Sequence, residues 1–310
     1  MTDIAPFSLP GRFWRGNIHT HSNLSDGALE PAQVIEAYKG AGYDFIQLSE
    51  HFHQNFNWPI ADTRKFRSNN FTTLIGAELH APQTKVGELW HIVAAGLPLD
   101  FAPCTPEETG AQVALRAREA GAFIGIAHPA WSQLTIEDGR AIDCAHAVEI
   151  YNHGCFVECD RGDGWYLMDQ LLTEGRRLTG FATDDAHFKS DDAFGGWVHV
   201  KSETLEPEAL LAALKAGHYY SSQGPQIHEV SITGKELRVV SSPVNSISVL
   251  THNSRTLQRM GKHITEAVID LNGLKRSWSA IPDSPWLRVA VIDAAGRRAW
   301  TNPIWLADLK

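Results

Sequence analysis

Between Arg15 and about Ala216 the chain repeats one pattern: a short, nearly continuous apolar run, then a longer stretch with helical spacing. The apolar runs are DFIQLS, TTLIGAEL, HIVAAGL, AFIGIAH, HAVEIYN, LTGFATD and GWVHVKS. Runs of this length without strict alternation predict strands buried on both faces, and intervening helices favour parallel pairing. The helical stretches carry boundary signals. Pro31 opens PAQVIEAYKGAG, and a glycine closes it. Thr105, followed by Pro106 and then Glu108, predicts an N-cap for a helix that ends at Gly121. GWYLMDQLLTEG and PEALLAALKAG repeat the form. About seven such units predict a closed or nearly closed α/β barrel, with an open doubly wound sheet as the alternative.

The pattern changes after HYYSSQGP. From Gln226 the runs become short and alternating: IHEVSITG, ELRVVSS, SISVLTH, ITEAVIDL, WLRVAVID and AWTNPIWL. Turn signals separate them, which predicts a small antiparallel β-sandwich. The boundary falls near Ser222, giving domains of residues 1–222 and 223–310.

Composition narrows the function. A chain of 310 residues accommodates a barrel-sized domain and a small one. A net charge of -9 argues against a non-specific polyanion binder but leaves a small phosphorylated substrate open. The start, MTDIAPFSLPGRFWRGN, has no apolar leader, and no run approaches membrane-spanning length, so a soluble cytoplasmic protein is expected. Cys104, Cys144, Cys155 and Cys159 lack zinc-knuckle spacing and read as free buried thiols. No G-x-S-x-G elbow, H-E-x-x-H helix, P-loop or dinucleotide fingerprint occurs.

Histidines and carboxylates gather at strand ends instead. His19 and His21 flank one threonine in NIHTHSNLSDG, just after an apolar run; on a strand, both rings would share a face. Glu50 and His51 follow FIQLS, Glu78 and His80 end TTLIGAEL, and His91 begins HIVAAGL. His128 follows FIGIA, Glu149 ends HAVEI, and Asp184, Asp185 and His187 follow LTGFAT. In a parallel barrel the C-terminal strand ends share one face, where active sites are built. Mixed imidazole and carboxylate donors favour zinc, manganese or iron over magnesium or calcium. More than four candidate ligands imply more than one ion, and Glu78 is the candidate bridge. Two neighbouring ions can share a water, lower its pKa and clamp the oxygens of a displacement, which is hydrolytic chemistry suited to phosphate esters.

Other residues carry two readings. Asp26 precedes Gly27 and is either a ligand or a turn aspartate. His91 is a ligand or a core histidine. Glu50 and Asp184 read as residues that orient ligands, and Glu149 as either that or barrel packing. Arg161, in ECDRGDGW, is a candidate partner for anionic oxygens or a solvated loop arginine. His199, on the last strand of the repeat, and His80 are candidates for substrate contact. Trp58 and Trp131 either wall a pocket or pack under loops.

The segments HTHSNLSDG, SEHFH, GAELHA, HIVAAGL, AHPAW, EIYN and TDDAH, in this order between Asn17 and Pro225, resemble the PHP (polymerase and histidinol phosphatase) superfamily. YYSSQGP and RVAVIDAAGRRAWTNPIWL resemble its CehA/McbA-type branch, whose members carry a small β-domain after the barrel. The resemblance implies a distorted seven-stranded TIM-like barrel with two or three divalent transition metals. It implies hydrolysis of phosphomonoesters or phosphodiesters by a metal-bridging hydroxide. The branch includes aryl carbamate hydrolases, so carboxyl or carbamate ester hydrolysis is the alternative, and an accessory module without turnover a further one. Carried over residue by residue, one ion takes His19, His21, Glu78 and Asp185. A second shares Glu78 and adds His91 and His128. A third takes His51, His187 and Asp26. Glu78, Asp185 and His187 form the implied catalytic set, with His187 or another pocket histidine protonating the leaving group. Two departures stand out: Glu50 replaces a common aspartate, and Asp26 a common histidine, which leaves a two-metal enzyme open. The implied partner is a small-molecule ester, not a membrane or a nucleic-acid polymer.

Overall fold

Each apolar run of the first two-thirds of the chain forms a strand, and together they build one large, irregular, mixed sheet flanked by helices. The computed structural model describes residues 2–274 and 283–309; residues 275–282 of the expected C-terminal domain lie outside the described residues. The chain runs β1 (Thr2–Asp3), β2 (Arg12–Asn17), α1 (Pro31–Gly40), β3 (Phe45–Leu48), β4 (His51–Phe52), β5 (Thr72–Ala81) and β6 (Trp90–Ala95). It continues through α2 (Gly110–Glu119), β7 (Phe123–Ile126), α3 (Ile136–Ala141), β8 (Ala147–Asn152), α4 (His153–Cys159) and α5 (Trp165–Thr173). Then follow β9 (Thr179–Thr183), β10 (Trp197–Ser202), α6 (Pro207–Lys215) and β11 (Tyr219–Ser222).

The pairs β2–β3, β3–β5, β4–β5, β7–β8 and β8–β9 are parallel. The expectation of uniformly parallel strands is corrected at two places. Strand β6 is antiparallel to both β5 and β7, and β10 is antiparallel to β2 and β11. The cause at β6 is the connection: residues 82–89 hold no helix, and so short a link returns the chain beside β5 in the opposite sense. That reversal sets His91 opposite His80. Strand β9 meets β11 through a side chain: Ser221 Oγ donates to the Gly180 carbonyl at 2.9 Å and accepts the Ala182 N–H at 3.0 Å.

Helix α2 begins later than Thr105. Thr109 is its cap, accepting the Gln112 N–H at 3.3 Å while Gln112 Oε1 accepts the Thr109 N–H at 2.9 Å. Glu108 stays outside the helix and holds Arg116 Nε at 2.8 Å, which favours the later start. Between sheet and helices, Phe45, Phe123, Phe181, Val93 and Val198 pack as one buried cluster. Two glycines make room for its rings: a Cβ on Gly16 would lie 2.1 Å from the Phe45 ring, and one on Gly125 would lie 2.6 Å from Phe181.

The remaining strands are β12 (Ile227–Thr233), β13 (Glu236–Thr251), β14 (Thr256–Asp270), β15 (Trp286–Ile292), β16 (Arg298–Thr301) and β17 (Ile304–Trp305). All their pairings are antiparallel. ELRVVSS and SISVLTH, expected as two strands, are one continuous strand, β13. Its register shifts between Val240 and Ser246, where it leaves β12 and takes up β15. Val239, Ile247, Val249, Leu287, Val289 and Val291 pack in the core of this region. The β16–β11 pairing joins it to the main sheet, and Arg288 bonds Asp169 of α5 at 2.9 Å. The cysteines are unpaired, and Cys159 is exposed rather than buried. Among the described residues, no helix is long and apolar enough to cross a membrane.

His146 ties this fold to pH. Its Nδ1 accepts the Ile124 N–H at 3.0 Å, which requires an unprotonated nitrogen. Burial, then the charges of Arg118 and Lys215, push its pKa down to about 4. An unfolded histidine titrates near ~6.5. Between these values the unfolded chain binds the extra proton, so stability falls as pH drops from 6.5 towards 4. His146→Gln keeps an acceptor without the titration. It is expected to flatten that part of a urea-midpoint profile against pH, and an unchanged slope would contradict the assignment.

Candidate metal centre

The strands deliver their polar ends to one place. His19 and His21 follow β2 and are fully buried, and Thr20 between them bridges to Ala186 just beyond β9. His51 opens β4 directly opposite Glu78 of β5. Because β6 is reversed, its first residues lie beside the last residues of β5. A histidine at a strand start, His91, therefore joins a strand-end carboxylate. His128 and Asp185 leave β7 and β9 in the left-handed region, with φ of 20° and 54°. Neither is glycine, so both conformations cost energy that the surrounding contacts offset. For Asp185 one such contact is its N–H to the His19 carbonyl at 2.8 Å.

Glu78 is the hub. Its Oε1 lies 3.3 Å from His19 Nε2, 2.9 Å from His91 Nδ1 and 3.1 Å from His128 Nε2. Its Oε2 lies 2.6 Å from His51 Nδ1, 3.6 Å from His80 Nε2 and 3.8 Å from His21 Nε2. A second carboxylate, Asp185, places Oδ1 3.2 Å from His19 Nε2 and 3.0 Å from His21 Nε2. A third, Asp26, stands at the rim, with Oδ1 3.3 Å from His51 Nε2 and 3.1 Å from His187 Nε2. Ligand atoms converge within 4.8 Å in four overlapping groups: His19–His21–Asp185, His19–Glu78–His128, His21–Asp26–His51–His187 and His51–Glu78–His80–His91.

The donors fit divalent cations. Among the described residues, buried His19 Nε2 has no hydrogen-bond partner, although Glu78 Oε1 and Asp185 Oδ1 lie 3.3 and 3.2 Å away. A buried polar atom without a partner is costly unless a cation satisfies it. The protonation pattern agrees. Burial works against charge everywhere here, yet neighbouring imidazoles hold Glu78 and Asp185 well below the usual carboxylate range. Burial opposes the charged form of His51 as well, but Glu78 and Asp26 outweigh it and raise the pKa to about 10. Burial and neighbouring imidazoles instead push His21 and His80 down to about 3. Acid groups that keep their charge beside imidazoles that cannot all be protonated form a site suited to cations.

Around the cluster, buried groups fix the ligands. Glu149 meets His19 Nδ1 at 3.0 Å, accepts the His128 N–H at 2.7 Å and also contacts the Thr183 hydroxyl. Asn152 was not singled out from the sequence. Its Nδ2 donates to Glu149 at 3.1 Å and to Asp185 at 3.0 Å, while its Oδ1 accepts the Cys155 N–H at 2.8 Å and caps α4. Glu50 accepts from Ser22 and Ser25 and so pins the loop that carries Asp26. Asp184 turns away from the ligands. It accepts Asn17 Nδ2, whose own Oδ1 receives the His19 N–H at 2.9 Å.

Two expected residues lie apart. Arg161 is exposed and is not among the residues lining the cleft over the cluster. His199 accepts Trp197 Nε1 at 2.9 Å and stacks on Tyr220, so its neighbours lie outside the cluster. The cation that does reach the cleft is Lys189, 3.4 Å from Asp26 Oδ2. Its only sequence signal was nearness to TDDAH. The cleft has a volume of about 250 Å³ and is walled by Trp131, Cys155, Glu158, His187 and Lys189. Trp58 is absent from the wall and packs against a hydrophobic cluster instead.

No family model and no curated protein matches the chain. Solved structures do. A two-domain Bacteroides vulgatus protein, described as containing a PHP-like metal-dependent phosphoesterase, aligns over 92% of this chain and 93% of its own, at 15% identity and a TM-score of 0.53. A Bifidobacterium adolescentis protein provisionally described as a metal-dependent phosphoesterase covers 56% of this chain and 88% of its own, at 14% identity and a TM-score of 0.42. An amidohydrolase from Chromobacterium violaceum, solved with sulfate and without metal, covers 57% and 89%, at 15% identity and a TM-score of 0.42. The first likeness shows that the chain shares the fold of the Bacteroides vulgatus protein, and its histidines and carboxylates converge in groups able to hold metal ions.

Proposed function

We propose that this protein is a metal-dependent hydrolase of small phosphate esters, working with two or three divalent transition metals. The observation that carries the reading is one fully buried carboxylate, Glu78, with six imidazole nitrogens within 3.8 Å, below a small polar cleft. In this reading residues 1–222 form the distorted seven-stranded barrel and residues 223–310 the β-sandwich of a CehA/McbA-like protein. The two-domain character of the Bacteroides vulgatus protein accords with that division.

His19, His21, Glu78 and Asp185 would hold one ion, and Glu78, His91 and His128 a second. His51, His187 and Asp26 would hold a third. Bound ions supply Lewis-acid polarisation of the ester oxygens and a water of lowered pKa. The chain does the rest. Lys189 Nζ neutralises a non-bridging oxygen of the substrate at the rim. With two ions loaded, His187 Nε2 holds the proton for the leaving-group oxygen, and the Asp185 carbonyl, 2.9 Å from Nδ1, orients that ring. Burial lowers the pKa of His187, but the Asp26 hydrogen bond and the charges of Asp185 and Asp26 raise it overall. Glu149 and Asn152 fix His19 and Asp185 before substrate arrives, which removes reorganisation from the reaction. Trp131 and Cys155 narrow the cleft and limit bulk water.

A second reading, carbamate or carboxyl ester hydrolysis with the same ligands, would need room for an aryl group. The cleft of about 250 Å³, with Lys189 at its rim, favours the smaller anionic substrate. An aryl phosphate, a bis-aryl phosphodiester and an aryl carbamate, assayed with one metal-loaded preparation, separate the readings. The phosphomonoester is expected to turn over fastest. Carbamate turnover without phosphate turnover would reverse the assignment.

A further inference from the structure

The ligand scheme carried over from the resemblance leaves His80 out, yet its ring lies inside the cluster. His80 is buried, and its Nε2 sits 2.9 Å from His51 Nδ1 and 3.6 Å from Glu78 Oε2. His51 Nδ1 in turn lies 2.6 Å from the same Oε2. A plain hydrogen-bond account of these three atoms fails. One proton on His51 Nδ1 can serve either His80 or Glu78. One proton on His80 Nε2 leaves the His51 lone pair facing a carboxylate oxygen. Wherever the single proton is placed, one of the two contacts of His51 Nδ1 lacks it, either the 2.9 Å contact to His80 Nε2 or the 2.6 Å contact to Glu78 Oε2. His91 completes the group, with Nδ1 2.9 Å from the other Glu78 oxygen. The ligand atoms of His51, Glu78, His80 and His91 all lie within 4.8 Å of one another. The edges of a tetrahedron with zinc–ligand bonds of about 2.0–2.1 Å are about 3.3 Å, and the three contacts among His51 Nδ1, His80 Nε2 and Glu78 Oε2, at 2.6, 2.9 and 3.6 Å, span that length.

We propose that His80 is a metal ligand, and that His51 Nδ1, Glu78, His80 and His91 together form a four-ligand site for a zinc-like cation, in place of the second ion given above to Glu78, His91 and His128. The donor set, three imidazoles and one carboxylate, suits a borderline ion that accepts tetrahedral coordination, not magnesium or calcium. The consequence for His51 is specific. Its Nδ1 faces this site, while its Nε2 faces Asp26, 3.3 Å away, in the group that also contains His187. One imidazole therefore joins two cation positions through its two nitrogens. Reversal of β6 makes the site possible: His80 and His91 are direct partners in the antiparallel β5–β6 ladder, and their rings meet at 4.3 Å between centroids. The proposal rests on the metal-dependent reading above and is independent of which ester is hydrolysed.

Bound metal, not turnover, is the test. Protein stripped with chelator is titrated with zinc, desalted and measured by elemental analysis; a parallel sample is loaded with cobalt for visible absorption. His80→Phe keeps most of the buried volume and removes both nitrogens, and His80→Gln keeps polarity without the ring. The wild type should retain one more equivalent than either variant. The zinc affinity of that site should fall by more than about 100-fold, beyond the loss typical of a residue that only supports a ligand. The intense cobalt absorption of a four-coordinate centre should fall with it. Far-UV circular dichroism of the metal-free proteins identifies a folded variant, and if one substitution disturbs folding the other decides. A folded variant with the wild-type number of equivalents and the wild-type cobalt spectrum overturns the proposal. Metal retained in the wild type without phosphate ester turnover would sink the phosphoesterase reading and leave this one standing. A wild type that retains no metal would sink both.

Discussion

Glu78→Gln is expected to strip the protein of bound metal and of hydrolysis together. The carboxylate lies within 3.8 Å of six imidazole nitrogens, and glutamine keeps its shape while removing its charge. Without that charge the surrounding histidines lose the group that draws cations to them, and an amide N–H2 faces nitrogens that also need to bind. Turnover should fall by roughly 10²–10³-fold, the scale seen when a preorganised charge-stabilising group is removed from a catalytic site. Metal content should drop by more than one equivalent, because Glu78 belongs to two of the converging groups. The checks are elemental analysis and single-turnover kinetics on the same sample. Full metal occupancy with lost turnover would make Glu78 a group that acts on substrate instead of a bridge. Full turnover would remove it from the mechanism.

The second large effect concerns folding. Asp184 is fully buried and accepts five hydrogen bonds: from Asn17 Nδ2 at 2.5 Å, Tyr38 Oη at 2.8 Å, and the N–H groups of Phe194, Gly195 and Gly196 at 2.9, 2.8 and 2.8 Å. It fastens the loop before β10 to α1 and to the end of β2. Asp184→Ala leaves those donors without partners in a dry interior, at an expected cost of about 3–5 kcal/mol. Asp191→Ala, in an exposed position of the same loop, should cost within about 0.5 kcal/mol and serves as the control. Urea unfolding of the metal-free proteins measures both. A loss below about 1 kcal/mol for Asp184→Ala would mean that water replaces the carboxylate, and that the five contacts hold little of the fold together.

How much of this was legible beforehand depended on what each residue's signal was. The strand-end ligands were readable because apolar runs mark strands, and His19, His21, His51, Glu78, His128 and Asp185 each follow or end one. The direction of β6 was not readable. PQTKVGEL, residues 82–89, carries no tight-turn dipeptide, so nothing told a hairpin from a crossover. His91, at a strand start, was therefore open to a core reading as well as a ligand one, and His80 to substrate contact but not to ligation. The start of α2 failed for a different reason. TPEE and TGAQ both satisfy the capping-box pattern, and the choice between them was made by tertiary contacts of Glu108 and Arg116. Strand β14 was half missed because solvent faces most of it, and no alternation marks a strand exposed on both faces. Lys189 and Arg161 both occupy loops beyond strand ends. Which one reaches the cleft is decided by how each loop folds back, and hydrophobic pattern carries no information about that.

The hairpin of β5 and β6 has a consequence for the unfolded chain. Glu78 and His91 are separated by 13 residues, whereas His21 and Asp185 are separated by 164. Bringing the distant pair together in an unfolded polymer costs roughly 2 kcal/mol more than bringing the near pair together. An ion on Glu78, His80 and His91 can therefore find its ligands in the denatured ensemble, while an ion on His19, His21 and Asp185 finds them only once the first and last parts of the sheet have met. Binding to the denatured chain subtracts from the stability that a ligand confers. Of the ions this centre can hold, the one spanning the long separation contributes more to holding the native state, and the one on the hairpin is the more available while the chain is still folding.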